Sequence, residues 1–299
     1  MISSNIIGGL GNQLFQIFTT ISYAIDNNCD FIFPNKNELY AGANTTLRYT
    51  YWNTFLNKLQ PYLKYENEIN CELKFIESND SKYIKLPELS NFKHIKEDLN
   101  VYLSGYFQSY KYFEHNFKKI CEIIDIKKQK DELKINFLYN FNNEDFISLH
   151  FRIGDYVKYP YYHFILNDEY YINSIEKIVY MDNINNNKEI KILYFCEDEN
   201  IELVSRRIDN IKNKLIEKGI NNCFFLKCPV LEDWKEMLLM SLCKHNIIAN
   251  SSFSWWGAYF NENVNKIVCY PSEFYTKNIC KTTIDLFPDN WVKININIS

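Results

Sequence analysis

His150-Phe151-Arg152-Ile153-Gly154-Asp155-Tyr156 is the stretch from which the rest of the chain is read. Before it runs Phe146-Ile147-Ser148-Leu149, apolar, β-prone and of strand length. Gly154 then breaks the pattern and predicts a turn. An imidazole, a guanidinium and a carboxylate therefore leave one strand end together. In open α/β sheets ligands bind beyond the carboxyl ends of the strands. Arg152 suits a phosphate, because it stays charged and offers a planar fork of donors. Asp155 suits either that fork or a ligand hydroxyl. For these three residues alone, a phosphate-binding turn and an Arg–Asp pair that ties down a loop are equal readings.

Working outward, strands and helices alternate. Ile192–Phe195, Cys223–Leu226 and Asn246–Ala249 read as strands, and Tyr170–Met181, Ile201–Ile216 and Leu231–Lys244 as helices. Alternation of this kind predicts a parallel sheet covered on both faces. Upstream, Ile2–Ile7 reads as a strand, Gly8-Gly9-Leu10-Gly11-Asn12-Gln13 as a turn, and Leu14, Ile17, Phe18, Ile21, Ala24 and Ile25 as one apolar helical face. Phe31–Phe33 is a further strand, giving a Rossmann-like opening. The match to a dinucleotide fingerprint is weak, since Leu14 stands where a third glycine belongs. Gly9 and Gly11 permit close approach to the backbone, and Asn12 and Gln13 add amides beside that opening. A tight turn with a polar helix cap explains the same residues.

The chain of 299 residues is long enough for two α/β domains, and 46% apolar residues supply their cores. The charged, Asn-rich run 127–143 places a boundary near its end. The expected division is 1–143, 144–285 and a tail, 286–299, that packs back on the first domain. A net charge of -4 argues against nucleic acid, so an anionic ligand needs a local cluster of cations. Nine dispersed cysteines, without C-x-x-C or zinc spacing, read as reduced thiols of a cytoplasmic protein. The first thirty-five residues carry no Lys or Arg, and polar and glycine residues interrupt their apolar ones. The reading is a soluble chain with neither signal peptide nor transmembrane segment. Oligomeric state is left open.

Asn250-Ser251-Ser252-Phe253-Ser254 joins a short strand to the aromatic helix that contains Trp255 and Trp256. A helix N-terminus presents unpaired N–H groups and a partial positive charge, and three hydroxyls there favour a phosphate. A single serine would suffice for capping. Glu197-Asp198-Glu199, at another strand end, suits Mg²⁺ with phosphates, a purine's N–H groups, or plain solvent; the metal-free purine reading is preferred.

Gly8–Gln16, Leu103-Ser104-Gly105-Tyr106-Phe107-Gln108-Ser109, His150–Tyr156, Asn250–Ala258 and Phe287-Pro288-Asp289-Asn290-Trp291 together resemble the α-1,2-fucosyltransferases, family 11 of the glycosyltransferases. The blocks stand in the family's order and span nearly the whole chain. The resemblance implies α/β architecture with two Rossmann-like domains facing across a cleft (GT-B type). It implies inverting transfer of L-fucose from GDP-β-L-fucose to a glycan hydroxyl, α-1,2 to a galactose-like sugar, with no metal or other cofactor. It assigns GDP-fucose to the second half with Arg152 on the pyrophosphate; with the strand-end and serine-turn readings above, the expected donor site is Arg152, Glu197, Asp198, Asn250, Ser251, Ser252, Phe253 and Ser254. Catalysis is assigned to Arg152, Asn12, Asp155 and His150. The acceptor side takes Gly9, Gly11, Asn12, Gln13 and Tyr106, with Tyr51 and Trp52 as further aromatics. The family's motif carries two adjacent arginines, and here the second position is Ile153. Two alternatives follow: a GT-B enzyme using another nucleotide sugar, and a non-catalytic binder of a nucleotide or glycan.

Overall fold

The computed structural model describes residues 1–39, 47–92, 99–137, 146–184 and 188–296. The chain is α/β and forms two Rossmann-like units, Met1–Gln129 with Cys280–Pro288 and Lys130–Ile279 with Asp289–Ser299. The division therefore falls at 129/130 rather than 143/144. It lies inside the helix Ile126–Phe137. The Gln129 amide donates to Phe55 O at 3.2 Å, whereas the Lys130 ammonium, buried, donates to Phe260 O at 2.5 Å. Residues 138–145, where the boundary was expected, lie outside the described residues, as do 185–187 of the polar turn after Met181.

In the second unit six parallel strands form one sheet: Phe146–His150, Ile190–Phe195, Cys223–Lys227, His245–Ile247, Val268–Pro271 and Val292–Ile294. Counted along the chain, they lie side by side in the order 3-2-1-4-5-6, that of a doubly wound dinucleotide-type sheet. Alternation along the strands feeds two cores. Ile147, Leu149, Ile190 and Ile192 pack with the helices Asp168–Met181 and Ile201–Glu217 on one face. Phe146, Leu193 and Phe195 pack with Leu239 and Met240 of the helix Asp233–Ser241 on the other. That helix and Ser252–Tyr259 touch so closely that a Cβ on Gly257 would stand 2.8 Å from Met240 Cβ.

The first unit carries a smaller parallel sheet, ordered Ile2–Ser4, Val101–Ser104, Leu73–Ile76. The helix Leu10–Asp26 lies against it. The predicted apolar face is buried, but so are Gln13, Gln16, Thr19, Thr20 and Ser22. This helix is buried nearly all round, and Gln16 and Thr20 find internal partners, whereas Thr19 Oγ1 is buried without one. Gln16 accepts from Ile7 N–H at 2.9 Å and donates to Ile7 O at 3.0 Å, and Thr20 donates to Gln16 O at 2.7 Å.

The tail is divided between the two units. Cys280–Pro288 belongs to the first unit, where Asp285 is the anchor. Its carbonyl accepts from Ser109 Oγ at 2.6 Å, and its carboxylate accepts from Lys111 Nζ at 2.6 Å and from Tyr83 N–H at 3.1 Å. From Asp289 the chain is in the second unit again. Trp291 packs 5.6 Å from Trp255, and Val292–Ile294 adds the sixth strand. Trp291 therefore braces the second unit, not the first.

Candidate functional site

The strand order marks a candidate site in the second unit. The order reverses between the His150 strand and His245–Ile247, and ligands of doubly wound sheets bind beyond the carboxyl ends at such a switch point. His150–Tyr156 leaves one of these two strands and Asn250–Ser254 follows the other.

Arg152 emerges into that crevice, about one-fifth exposed, with both its carboxylate neighbours paired to it. Its two terminal nitrogens donate to Asp155 and to Glu197. Gly154 makes the second contact sterically feasible, because a Cβ there would meet Glu197 Oε1 at 2.6 Å. Burial opposes the guanidinium charge, but Glu197, Tyr156 and Asp155 together carry its pKa above the ordinary value. Tyr156 lies under the guanidinium, 5.0 Å from ring centroid to carbon, and its hydroxyl donates to Asn250 O at 2.7 Å. One hydroxyl thus ties the arginine turn to the serine turn.

His150 ends its strand buried, 5.6 Å from the Phe253 ring. Burial, and then the charge of Arg152, push its imidazole down to about 3, so it is neutral at physiological pH. Its Nδ1, one oxygen of Glu197 and the Asn250 side-chain oxygen are buried without hydrogen-bond partners. Such groups are rare in native proteins and mark places where a ligand or water completes the set.

The serine turn is less open than its composition suggests. Ser251 caps the helix, its hydroxyl accepting from Phe253 N–H at 3.3 Å. Ser254 is buried, and its hydroxyl accepts from Ala249 N–H at 3.1 Å and donates to Ser251 O at 3.4 Å. Asn250 donates to Phe164 O at 3.0 Å. These three side chains shape the turn, and Ser252 is half-buried in the first turn of the helix. Asp198 stands apart from Arg152 and pairs with Lys227 at 2.8 Å.

In the first unit the decisive glycine is Gly8 rather than Gly9 or Gly11. Gly8 has φ +82°, and a Cβ there would lie 2.7 Å from the Asn12 amide nitrogen. Gly9 has ordinary φ and open space beside it, and Gly11 is buried in the helix. Asn12 Oδ1 accepts from Gln108 Nε2 at 2.8 Å. Gln13 is buried and donates to Gly8 O and Tyr49 O, both at 2.9 Å, so its NH2 holds the turn, while its side-chain oxygen is buried without a hydrogen-bond partner. Tyr106 is half-buried with Lys281 Nζ 4.9 Å over its ring. Trp52 is 1% exposed and stacked 5.7 Å from Phe33, which makes it a core residue.

With this geometry in hand, the whole-chain comparison decides the family. Residues 1–295 match the model of glycosyl transferase family 11. The chain belongs to glycosyl transferase family 11. It is 27% identical to an alpha-1,2-colitosyltransferase of Escherichia coli over 98% of this chain and 99% of the relative. It is 32% identical to the Escherichia coli O-antigen biosynthesis glycosyltransferase WbnK over 51% of this chain and 45% of the relative. Among solved structures, a mutant of Arabidopsis thaliana FUT1 in complex with GDP aligns at a TM-score of 0.48 and 10% identity, covering 90% of this chain and 70% of that one. The fucosyltransferase NodZ of Bradyrhizobium aligns at 0.40 and 14%, covering 86% and 92%.

In this family 11 chain the position of the motif's second arginine is occupied by a core residue. Ile153 is 1% exposed and packs with the helix-side core of the sheet. An arginine there would have to leave that core, so Arg152 carries the motif's charge alone. Two residues escaped the sequence reading. Glu236, on the helix Asp233–Ser241, is held half-buried; burial pushes its carboxyl up to about 7 against the pull of Lys227. Glu77, directly after the strand Leu73–Ile76, lies at the carboxyl edge of the first sheet. Only its place after an apolar pair, Phe75-Ile76, hinted at a strand end. A cavity lined by Met1, Tyr23, Asp26, Leu99 and His115 opens elsewhere, near the strand starts at Met1 and Leu99. Among the described residues no helix is long and apolar enough to cross a membrane, and no cluster of His, Cys, Asp and Glu has metal-binding geometry. Those residues include all nine cysteines and form no disulfide.

Proposed function

We propose that this family 11 chain is an inverting glycosyltransferase that moves L-fucose from GDP-β-L-fucose to a hydroxyl of a glycan acceptor, α-1,2 to a galactose-like sugar. The observation that carries the reading is Arg152, a half-buried guanidinium at the switch point of a doubly wound sheet, beside the start of the helix Ser252–Tyr259. Departure of GDP develops negative charge on the diphosphate and positive charge on the sugar ring, as in glycoside hydrolysis. Arg152 and the helix N–H groups answer the first of these with preorganised charge. A guanidinium has five N–H donors, so Asp155 and Glu197 orient it without exhausting it. Neutral His150 adds no competing charge beside the sugar. Asn12, in the first unit, orients the attacking hydroxyl, and no metal is needed for leaving-group stabilisation.

A second donor merits a place because the full-length Escherichia coli relative is named a colitosyltransferase. Colitose is L-fucose without its 3-hydroxyl, so the two donors differ by one hydrogen-bonding group. The test is a transfer assay in EDTA with GDP-fucose and GDP-colitose against a panel of galactose-terminated glycans, with the linkage read by NMR. Transfer of fucose to the 2-hydroxyl is the expected result. Transfer of colitose alone would replace the donor, and an absolute requirement for Mg²⁺ or Mn²⁺ would remove the metal-free mechanism. Donor binding with neither transfer nor hydrolysis would leave a binding protein.

A further inference from the structure

In the first unit three parallel strands end side by side, and each is followed at once by a polar contact. Asn5 follows Ile2–Ser4, Gly105 follows Val101–Ser104, and Glu77 follows Leu73–Ile76. These contacts interlock. Gly105 N–H donates to Asn5 Oδ1 at 3.3 Å, and Glu77 N–H donates to Ser104 O at 2.9 Å. Tyr106 N–H donates to Glu77 Oε2 at 2.7 Å. Glu77 fits so closely under the loop that a Cβ on Gly105, at φ +155°, would stand 2.3 Å from Glu77 Cβ.

The loop is held in a conformation it would not adopt unaided. Phe107 has φ +52°, a left-handed value that costs a bulky residue free energy and persists only where its surroundings impose it. Its ring is 1% exposed and meets Tyr112 edge-on at 5.3 Å. The next residue, Gln108, donates to Asn12 Oδ1. In that bond the Asn12 amide turns its oxygen to Gln108 and its NH2 over Gly8.

We propose that Glu77 is the positioning residue of this edge: its carboxylate gathers the loop Gly105–Gln108 so that Gln108 holds the Asn12 amide in one orientation. The inference rests on Asn12 serving the acceptor, as proposed above. Glu77 itself does not touch the reacting atoms. The carboxylate is the group needed, because one oxygen accepts from Tyr106 N–H at 2.7 Å, the other is buried without a hydrogen-bond partner, and Lys281 stands close enough to act on it electrostatically. The ionisable side chains that face Glu77 are Lys281, Tyr106 and Tyr112. Burial raises the pKa of the Glu77 carboxyl, against the pull of the N–H groups of Tyr106, Phe107 and Gln108 and of Lys281. Protonation, as the pH falls through that raised value, turns an acceptor toward the loop into a neutral acid and loosens the loop.

The test compares Glu77→Gln, Gln108→Ala and Asn12→Ala, singly and as the double variant Glu77→Gln with Asn12→Ala. Glu77→Gln is expected to lower kcat/KM for the acceptor about tenfold, the scale of one hydrogen bond to a charged group, with GDP affinity by calorimetry unchanged. It should also remove the part of the acid limb that depends on Glu77. The double variant should be no worse than Asn12→Ala, because the two act in one chain of contacts. Multiplying losses, or a parallel fall in GDP affinity, would overturn the proposal. Side-chain amide NMR signals of Asn12, assigned with Asn12→Ala, read the positioning with no reaction running. If they shift in Glu77→Gln while the wild type transfers no sugar, the functional reading fails and the positioning role stands. If the wild type transfers sugar and the Asn12 signals stay put in Glu77→Gln, the positioning role fails and the functional reading stands.

Discussion

The first strand of each unit runs into a turn and then a helix or short helical loop, and the two turns are equipped with different chemistry. After Ile2–Ser4 come neutral amides: Asn12 against Gln108, Gln13 on Gly8 O and Tyr49 O, and Gln16 on Ile7. After Phe146–His150 comes charge, with Arg152 between Asp155 and Glu197. Amides match hydroxyls, which donate and accept alike. A guanidinium matches a phosphate. Both turns stand at carboxyl ends of parallel strands, so the difference lies in side chains rather than in topology. One architecture thus carries two chemistries through a change in what leaves the strand.

The sharpest way to break this contrast is Arg152→Ala. Transfer should fall by about 10²–10³, the cost of one charge-stabilising donor, and GDP affinity should fall with it, while circular dichroism stays native. Near-normal turnover would mean that the charged turn is only a loop fastening. Because the fork matters as well as the charge, Arg152→Lys should recover only part of the loss.

Acid titration separates the turns next. His150 is held neutral with a pKa of about 3 in the fold, against about 6.5 unfolded. The unfolded chain therefore binds the extra proton between these values, and stability is full above about 6.5 and falls as the pH drops towards 3. The slope is at most about 1.4 kcal/mol per pH unit. His150→Gln should flatten it, and a Tm series at stepped pH reads the outcome. An unchanged acid slope would place the titrating groups elsewhere.

For the amide turn, Asn12→Ala should reduce transfer roughly 10–100-fold, the cost of an attacking hydroxyl held out of line, and leave GDP binding intact. If GDP affinity drops as far as in Arg152→Ala, the amide turn is part of the nucleotide site and the contrast collapses. Gly8→Ala tests the backbone beneath it. The left-handed φ and the Asn12 contact at 2.7 Å predict a loss of about 1–3 kcal/mol in urea unfolding. Gly9→Ala, at ordinary φ with space beside it, should cost less. The smallest effect belongs to Ser252→Ala, where GDP affinity should weaken by roughly 0.5–1.5 kcal/mol.

The second unit was legible in the sequence because its strands are continuous apolar runs separated by helices of ordinary length. The turns at Arg152 and at Asn250–Ser254 could be singled out since turn residues interrupt those runs abruptly. Gln13 and Ser254 show the limit of such reading. A polar side chain at a strand end can face a ligand or bond to its own turn, and residue type does not distinguish the two. Glu77 was hidden for another reason: Leu73–Ile76 alternates half-buried and exposed residues without matching its polarity, so Lys74 and Ile76 are both exposed. The bonds of Asp285 to Tyr83 and Lys111 span 202 and 174 residues, and no local pattern announces them.

Those long-range bonds have a consequence for biosynthesis. The segment that supplies Asp285 to the first unit is translated only after most of the second. Between Lys111 and its partner 174 residues must be added, which takes roughly 9–35 s at about 5–20 residues per second. Throughout that interval Ser109, Lys111 and the Tyr83 amide wait on the nascent chain without Asp285. The N-terminal unit is thus finished from its far end, at almost the same moment as the edge strand Val292–Ile294 completes the other sheet, and a ribosome stalled near residue 279 would hold two unfinished units rather than one complete unit and one partial.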